Sequence, residues 1–408
     1  MDALETALQQ MFDGFAVYGH AIQFAWKSAE KEFSIAAGRH PTLPRDVTIH
    51  DTFAWGSGTK PYTAALVMKL YEEGKLGLDD PVAKWVDPIL SKVNGTSMEQ
   101  LYGVKANAVT VGNLLKMQSG LNDFDVPEYD AMLLKEGIAP NGPLDLLYGA
   151  AQQTPTFLCD PGQCTEYTSI NYVLLGWVAL AAAHNGVLDW NKLDQKTIFA
   201  RLAADFANSS FLARGALKQT LSVPGNSSGT LVWNQDASIL GWTCGNLVAP
   251  AADAARFYKE LLLGDTILSR ATVKEMQDFR TLNKGWAAGY IQYGTGLMIQ
   301  QSSWKGQLEL GAPGSYMGHG GDTYGFLSEA GILLDLNASF AVVANTDSPG
   351  TFVKNVMACN MIETVYKILL NKTLNLTCGF RPFAAERPST TGALVSEDVQ
   401  RLGSIIAV

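Results

Sequence analysis

The chain has no block of basic residues. Its 30 Lys and Arg are outnumbered by 39 Asp and Glu, a formal net charge of −9. Binding to nucleic acid or to an anionic membrane surface needs clustered positive charge, so neither partner is expected. Long apolar runs are missing too. The longest, Tyr172–Ala183, covers 12 residues, short of the roughly 20 that a bilayer-spanning helix needs, and it reads as a buried helix. The five histidines are scattered and the five cysteines have no ligand spacing, so neither a metal nor an organic cofactor is expected. No signal-peptide pattern is visible at Met1, as would also hold for a processed secretory protein.

The 408 residues are 47% hydrophobic and 17% charged. That is a globular composition, with length enough for one large domain or two to three ordinary ones. Six Asn-x-Ser/Thr sequons, at Asn94, Asn208, Asn226, Asn337, Asn371 and Asn375, point to a secreted or secretory-lumen glycoprotein. So does the cysteine usage. Cys159 and Cys164 bracket Asp160-Pro161-Gly162-Gln163, and Pro-Gly is the preferred centre of a type II turn, which brings its flanks within bridging distance. The alternative for this pair is two reduced, buried thiols. Cys244, Cys359 and Cys378 leave an odd count, so at least one thiol has no partner within the chain.

Along the chain, Val17–Trp26 and Glu32–Ala37 read as a strand hairpin around Lys27–Glu30. From Ser57 the spacing of Tyr62, Ala65, Leu66, Met68 and Leu70 predicts an amphipathic helix that stops at Gly74, with Pro61 in its first turn. Residues 80–300 read as mainly helical, with helices near Val111–Met117, Ile170–Ala183 and Ala251–Leu263. Strands return at Gly325–Leu333 and Ser339–Ala344, and a last helix covers Phe352–Leu370. No repeat or clean linker divides the chain. The expected organisation is one domain over residues 1–375, with a sheet part (about 10–75 and 285–370), a helical part (about 76–284) and a tail over 376–408.

Ser-x-x-Lys occurs three times, at Ser28–Lys31, Ser57–Lys60 and Ser302–Lys305. The first reads as a solvated turn, and the third as a turn between Gly296–Gln300 and Gln307–Leu310. Only Ser57 opens a helix. There residues i and i+3 share a face, so Lys60 can reach the Ser57 hydroxyl, a weak nucleophile that needs a nearby base. The helix N-terminus is expected to disfavour an ammonium at Lys60. Two further stretches stand out. EYTSINYVLLG (166–176) places Tyr167 between the Cys159–Cys164 turn and a buried helix. MGHGGDTYGF (317–326) places His319, Gly320, Gly321 and Asp322 before a strand, where glycines let a ligand approach an edge strand whose N–H groups can hold an oxyanion.

Together these blocks resemble the serine β-lactamase and penicillin-binding-protein superfamily, in the branch with class C β-lactamases, D-Ala-D-Ala carboxypeptidases, D-aminopeptidases and related esterases and transesterases. The resemblance runs from about residue 10 to 370, through TFAWGSGTKPYTAALVMKLYEEGKLGLDDPVAKWV, VTVGNLLKMQSGL, YTSINYVLLG and GHGGDTYGF. It implies an α/β (α+β) fold, a five-stranded antiparallel sheet flanked by helices, with a mainly helical subdomain and the site between them. It makes Ser57 the nucleophile, Lys60 its partner and Tyr167 the base and proton shuttle. The Ser57 and Asp322 N–H groups become the oxyanion hole, and His319, a mostly neutral imidazole, a weak anchor for a substrate carboxylate. Ser169 stands where that family usually carries asparagine, and His319 where efficient β-lactamases carry lysine. Both departures favour small-molecule esters over peptides and β-lactams. The expected activity is a serine hydrolase working through an acyl-serine, with acyl transfer, D-amino-acid peptidase action or a catalytically silent scaffold as alternatives.

Overall fold

Ile22, Phe24 and Trp26 alternate with Gln23, Ala25 and Lys27 along a strand in which every residue is buried. Successive side chains of a strand point to opposite faces, so this strand is covered on both. The computed structural model describes residues 3–17, 19–126, 133–134, 142–184, 189–285, 287–301, 313–347 and 353–378. Among them an eight-stranded antiparallel sheet runs in the order Glu32–Ala37, Ile22–Lys27, Ala338–Ala344, Phe326–Leu333, Ser315–Thr323, Met298–Gln301, Gln292–Tyr293, Arg280–Thr281. The first five are the long strands implied by the resemblance. The other three are short pieces that carry the sheet onward past the site.

One face of the sheet presents Phe24, Trp26, Phe340 and Val342 to two helices, Ala3–Ala16 and Cys359–Leu370. The other presents small residues, Ala25, Ala330 and Ala341, against which the Ala251–Tyr258 helix packs closely. The N-terminal helix corrects the hairpin expected from Val17 onward. Leu4, Leu8, Met11, Phe12 and Phe15 are its buried residues, spaced as one helical face. The strand starts only at Ile22, and Val17 is 73% exposed.

The Ile170–His184 helix is the hub of the helical part, packed by the helices Lys60–Glu72, Val82–Asn94 and Pro143–Ala151. The Lys60–Glu72 helix is expected to be amphipathic, yet every residue from Lys60 to Met68 is buried. A helix enclosed on all sides is part of a core rather than a surface, and it ties Ser57 to that core. The helix ends as expected, with Gly74 at φ +67°. Short strands interrupt the helical section: Leu247–Ala249 pairs with both Phe53–Ala54 and Ser210–Phe211.

Cys359 and Cys378 form a disulfide, S–S 2.00 Å, and Leu376 is packed into the outer core. The packed body therefore extends past the expected boundary at 375, at least to Cys378. Residues 379–408 lie outside the described residues, as do Ser302–Lys305 and Gln307–Leu310. All six sequon asparagines are exposed. No helix among the described residues is long and apolar enough to cross a membrane.

Candidate active site

Gly56–Thr59 form a 3-10 turn leading directly into the Lys60–Glu72 helix, with Pro61 in its first turn. The turn is held from outside. The Trp55 indole donates to the Ala249 carbonyl at 2.9 Å, and the Thr59 hydroxyl accepts the Leu247 N–H at 2.9 Å. Gly56 (φ +50°) and Gly321 make possible what lies across from it. A Cβ on Gly321 would lie 1.9 Å from the Trp55 carbonyl oxygen, and one on Gly56 would lie 2.5 Å from that of Asp322. The two backbones are pressed together, and side chains at these positions would separate them.

Lys60 is completely buried and donates to three acceptors: Ser57 Oγ at 2.8 Å, Cys244 O at 3.2 Å and Ser169 Oγ at 3.3 Å. An ammonium has three N–H donors and no acceptor, and the Tyr167 hydroxyl is a further hydrogen-bond partner beside these three. Burial acts against the charge, but Tyr167 and Cys244, which become anions as the pH rises, and Asp123 outweigh it and hold the amine above its ordinary range. This reverses the expectation from the helix N-terminus. Tyr167, Cys244 and Asp123 govern rather than the helix N-terminus, and Lys60 rests as a cation. Ser28 differs in kind. It is buried rather than solvated, and its hydroxyl accepts the Lys31 backbone N–H at 3.1 Å while the Lys31 amine pairs with Glu5.

Cys159 and Cys164 are bonded, S–S 1.96 Å, around the expected turn: Gly162 takes φ +78° and the Gln163 N–H donates to the Asp160 carbonyl at 3.0 Å. The loop is stitched to the VTVGNLLKMQSGL block by N–H bonds from Leu158 to Gly120 O (2.7 Å), Gly162 to Gln118 O (2.8 Å) and Glu166 to Met117 O (2.9 Å). That fixes Tyr167. Its ring centroid is 4.9 Å from Lys60 Nζ and 5.9 Å from the Tyr293 ring. Burial raises the phenol above its ordinary value against the pull of the Lys60 charge, so it rests protonated.

His319 is placed differently from expectation. Its strand is internal rather than at an edge, paired with Phe326–Leu333 along its length and with Met298–Gln301 only as far as Gly318. Beyond Gly318 that side is open, and there Gly320–Asp322 face the Ser57 turn. His319 itself is 1% exposed. Its Nδ1 donates to the Gly320 carbonyl at 2.5 Å, and Nε2 faces the Tyr293 hydroxyl at 3.2 Å. A carbonyl only accepts, so Nδ1 carries the proton and Nε2 takes the hydroxyl's. Burial lowers the imidazole to about 3. It is a neutral ring packed 6.0 Å from Tyr167, not a cation offered to a carboxylate.

Ser57, Tyr167, Ser169, Gly320, Gly321 and Asp322 line one cavity of about 580 Å³. Lys60 and His319 lie behind its wall. The same wall carries Asp123, Asp125, Glu329 and Asp347, and no Lys, Arg or His among the described residues. Asp123, Tyr293 and the Cys244 carbonyl were not found by reading the sequence. Each reaches the site through a contact more than 20 positions away, with no local pattern to announce it. The described residues contain no cluster of His, Cys, Asp and Glu able to hold a metal ion.

Comparison with protein families matches residues 35–356 to the Beta-lactamase family. Among solved structures, the chain is similar to a D-stereospecific amidohydrolase from Streptomyces sp. (24% identity over 84% of this chain and 94% of that one, TM-score 0.65). It is similar to the D-amino acid amidase of Ochrobactrum anthropi SV3 complexed with L-phenylalanine amide (18%, 91% and 99%, TM-score 0.69). A third is the octameric penicillin-binding protein homologue from Pyrococcus abyssi (21%, 91% and 78%, TM-score 0.65). The chain belongs to the Beta-lactamase family.

Proposed function

We propose that this Beta-lactamase family member is a serine hydrolase that cleaves esters and amides of small molecules through an acyl-Ser57 intermediate. The observation that carries the reading is the three-way donation of Lys60 to Ser57, Ser169 and the Cys244 carbonyl, beside Tyr167, at the wall of a cavity of about 580 Å³. Ser57 Oγ attacks the substrate carbonyl as its proton passes to the Tyr167 phenolate. The resulting phenol returns that proton to the leaving alcohol or amine. Water then attacks the acyl-serine, giving its proton to Tyr167, which passes it to Ser57 Oγ as the acid leaves, so that the serine and the phenolate are both restored. The Ser57 and Asp322 N–H groups are assigned to the oxyanion, since the open side of Gly320–Asp322 faces the Ser57 turn.

Simple esters and amides without a carboxylate fit the cavity best. His319 offers no charge, and the described wall is acidic. The amide-cleaving neighbours favour amide substrates; the short Ser169 hydroxyl, in place of an amide side chain, favours esters. The test is mass spectrometry after a fluorophosphonate or a slow aryl ester. Wild type and Ser28→Ala should carry one adduct, and Ser57→Ala none. An adduct persisting in Ser57→Ala would falsify the assignment.

A further inference from the structure

We infer that Asp123 is a positioning residue for acylation: its carboxylate clamps the Tyr167–Ser169 segment so that Ser169 Oγ meets Lys60 Nζ, an inference that rests on the acyl-serine reading above. Asp123 Oδ2 accepts the Ser169 N–H at 2.5 Å, and Oδ1 accepts the N–H groups of Phe124 at 2.9 Å and Ile170 at 3.1 Å. The Ser169 carbonyl receives the Tyr172 N–H at 3.0 Å, so Ser169 opens the Ile170–His184 helix and the carboxylate sits on that helix's N-terminus, where the dipole favours an anion. A continuous chain results. Asp123 holds the Ser169 backbone, the Ser169 hydroxyl accepts from Lys60, and Lys60 donates to Ser57.

A carboxylate serving only as a helix cap has no need to face substrate, but Asp123 lines the same cavity as Ser57. Its protonation state is therefore open to change during function. Burial and the neighbouring Asp125 raise it to about 7, against the Ser169 and Ile170 N–H groups and the Lys60 charge. The Cys244 thiol, which also feels this charge, is held neutral, pushed by burial up to about 12. Near neutral pH the clamp thus passes between a form that accepts three N–H bonds as an anion and a protonated form that holds them less well.

The test is acylation by an aryl ester across about pH 5.5 to 9, with thermal melting alongside. For wild type the logarithm of the rate should rise by about one per pH unit above ~7 and more steeply below it, where Asp123 takes up a proton. Asp123→Asn, which keeps the volume, should lose roughly ten- to a hundredfold in kcat, with KM within about twofold, and the extra steepness should disappear. Asp123→Glu keeps the charge but displaces it, so it should keep the steepness while still losing rate. Full activity with unchanged steepness in Asp123→Asn would overturn the inference, as would full activity in Asp123→Glu or a rate loss equal to the loss of folded protein. If wild type forms no adduct at all, the acyl-serine reading fails on its own. The Ser169 amide nitrogen shift, followed by NMR against pH, then still decides the clamp: a titration near 7 that vanishes in Asp123→Asn supports it, and a flat response removes it.

Discussion

While Lys60 donates to Ser57, Ser169 and Cys244 it has no lone pair to offer, so the proton of Ser57 must leave by another route. The phenolate of Tyr167 is the acceptor at hand, stabilised by the Lys60 charge but disfavoured by burial, and the resting phenol lies above its ordinary range. The sign follows directly. In the proposed mechanism the reactive form is the deprotonated one, minor near neutrality, so its population grows tenfold with each pH unit until the phenol titrates. The acylation rate should accordingly rise about tenfold per unit between pH ~7 and ~9, with no plateau in that interval. Tyr167→Phe should lose roughly 10²- to 10⁴-fold and flatten the rise. A wild-type plateau beginning near pH 7 would point to another base. At this scale the sequence was informative about placement where one local feature carried it. Ser57 opens a helix where Ser28 does not, and Tyr167 follows a closed turn. At His319 the neutral ring was expected but its burial was not, since that depends on which way a strand residue faces and on the Tyr293 hydroxyl behind it. The sequence was silent at Asp123, whose Ser169 partner is 46 positions away.

The element that aims Tyr167 is a loop closed by Cys159–Cys164 over a separation of 5, whereas Cys359–Cys378 closes a separation of 19 on the far side of the sheet. Loop-closure entropy grows with the logarithm of loop length, giving about 2 kcal/mol for the first and about 3 kcal/mol for the second. The effects on function should run the other way. Replacing Cys159 and Cys164 by serine should lower kcat severalfold, through a less fixed Tyr167, with the smaller fall in thermal midpoint. Replacing Cys359 and Cys378 should give the larger fall in midpoint and leave kcat within about twofold. Equal kcat losses in the two variants would show that the Cys159–Cys164 loop does not position the phenol. Elements were legible where periodicity was strong. Ile170–His184, Phe326–Leu333 and Ala338–Ala344 fall within a residue or two of the expected bounds. Ser315–Thr323 was not read as a strand because its three glycines are poor strand formers. At Gly321 the missing side chain is what lets the strand lie against the Ser57 turn. The N-terminal helix was missed, although Leu4, Leu8, Met11, Phe12 and Phe15 already hold helical spacing.

For the molecule as a whole, the two-sided sheet and the buried Lys60–Glu72 helix hold Ser57 rigidly, while charge decides what can reach it. The chain carries a net charge of −9, and the cavity wall holds five of its acids, Asp123, Asp125, Asp322, Glu329 and Asp347, with no basic side chain among the described residues of that wall. Two unit charges ~8 Å apart at an effective dielectric of ~20 interact by roughly 2 kcal/mol, enough to separate isosteric substrates of opposite charge by tenfold or more. Salt screens the interaction with a Debye length of about 8 Å at 0.15 M. Of two aryl esters alike but for an ammonium or a carboxylate on the acyl chain, the ammonium ester should therefore have the lower KM at low salt, by about tenfold. Added salt should raise its KM and lower that of the carboxylate ester, so that the two converge, while a neutral ester stays nearly constant. Cephalosporins, which bring a carboxylate to a site where His319 is neutral and hidden, should be turned over more slowly than either neutral or cationic esters. The measurement is KM for the three esters at two ionic strengths. Preference for the carboxylate ester at low salt would mean that a cation outside the described wall, rather than these five acids, sets the field substrates meet.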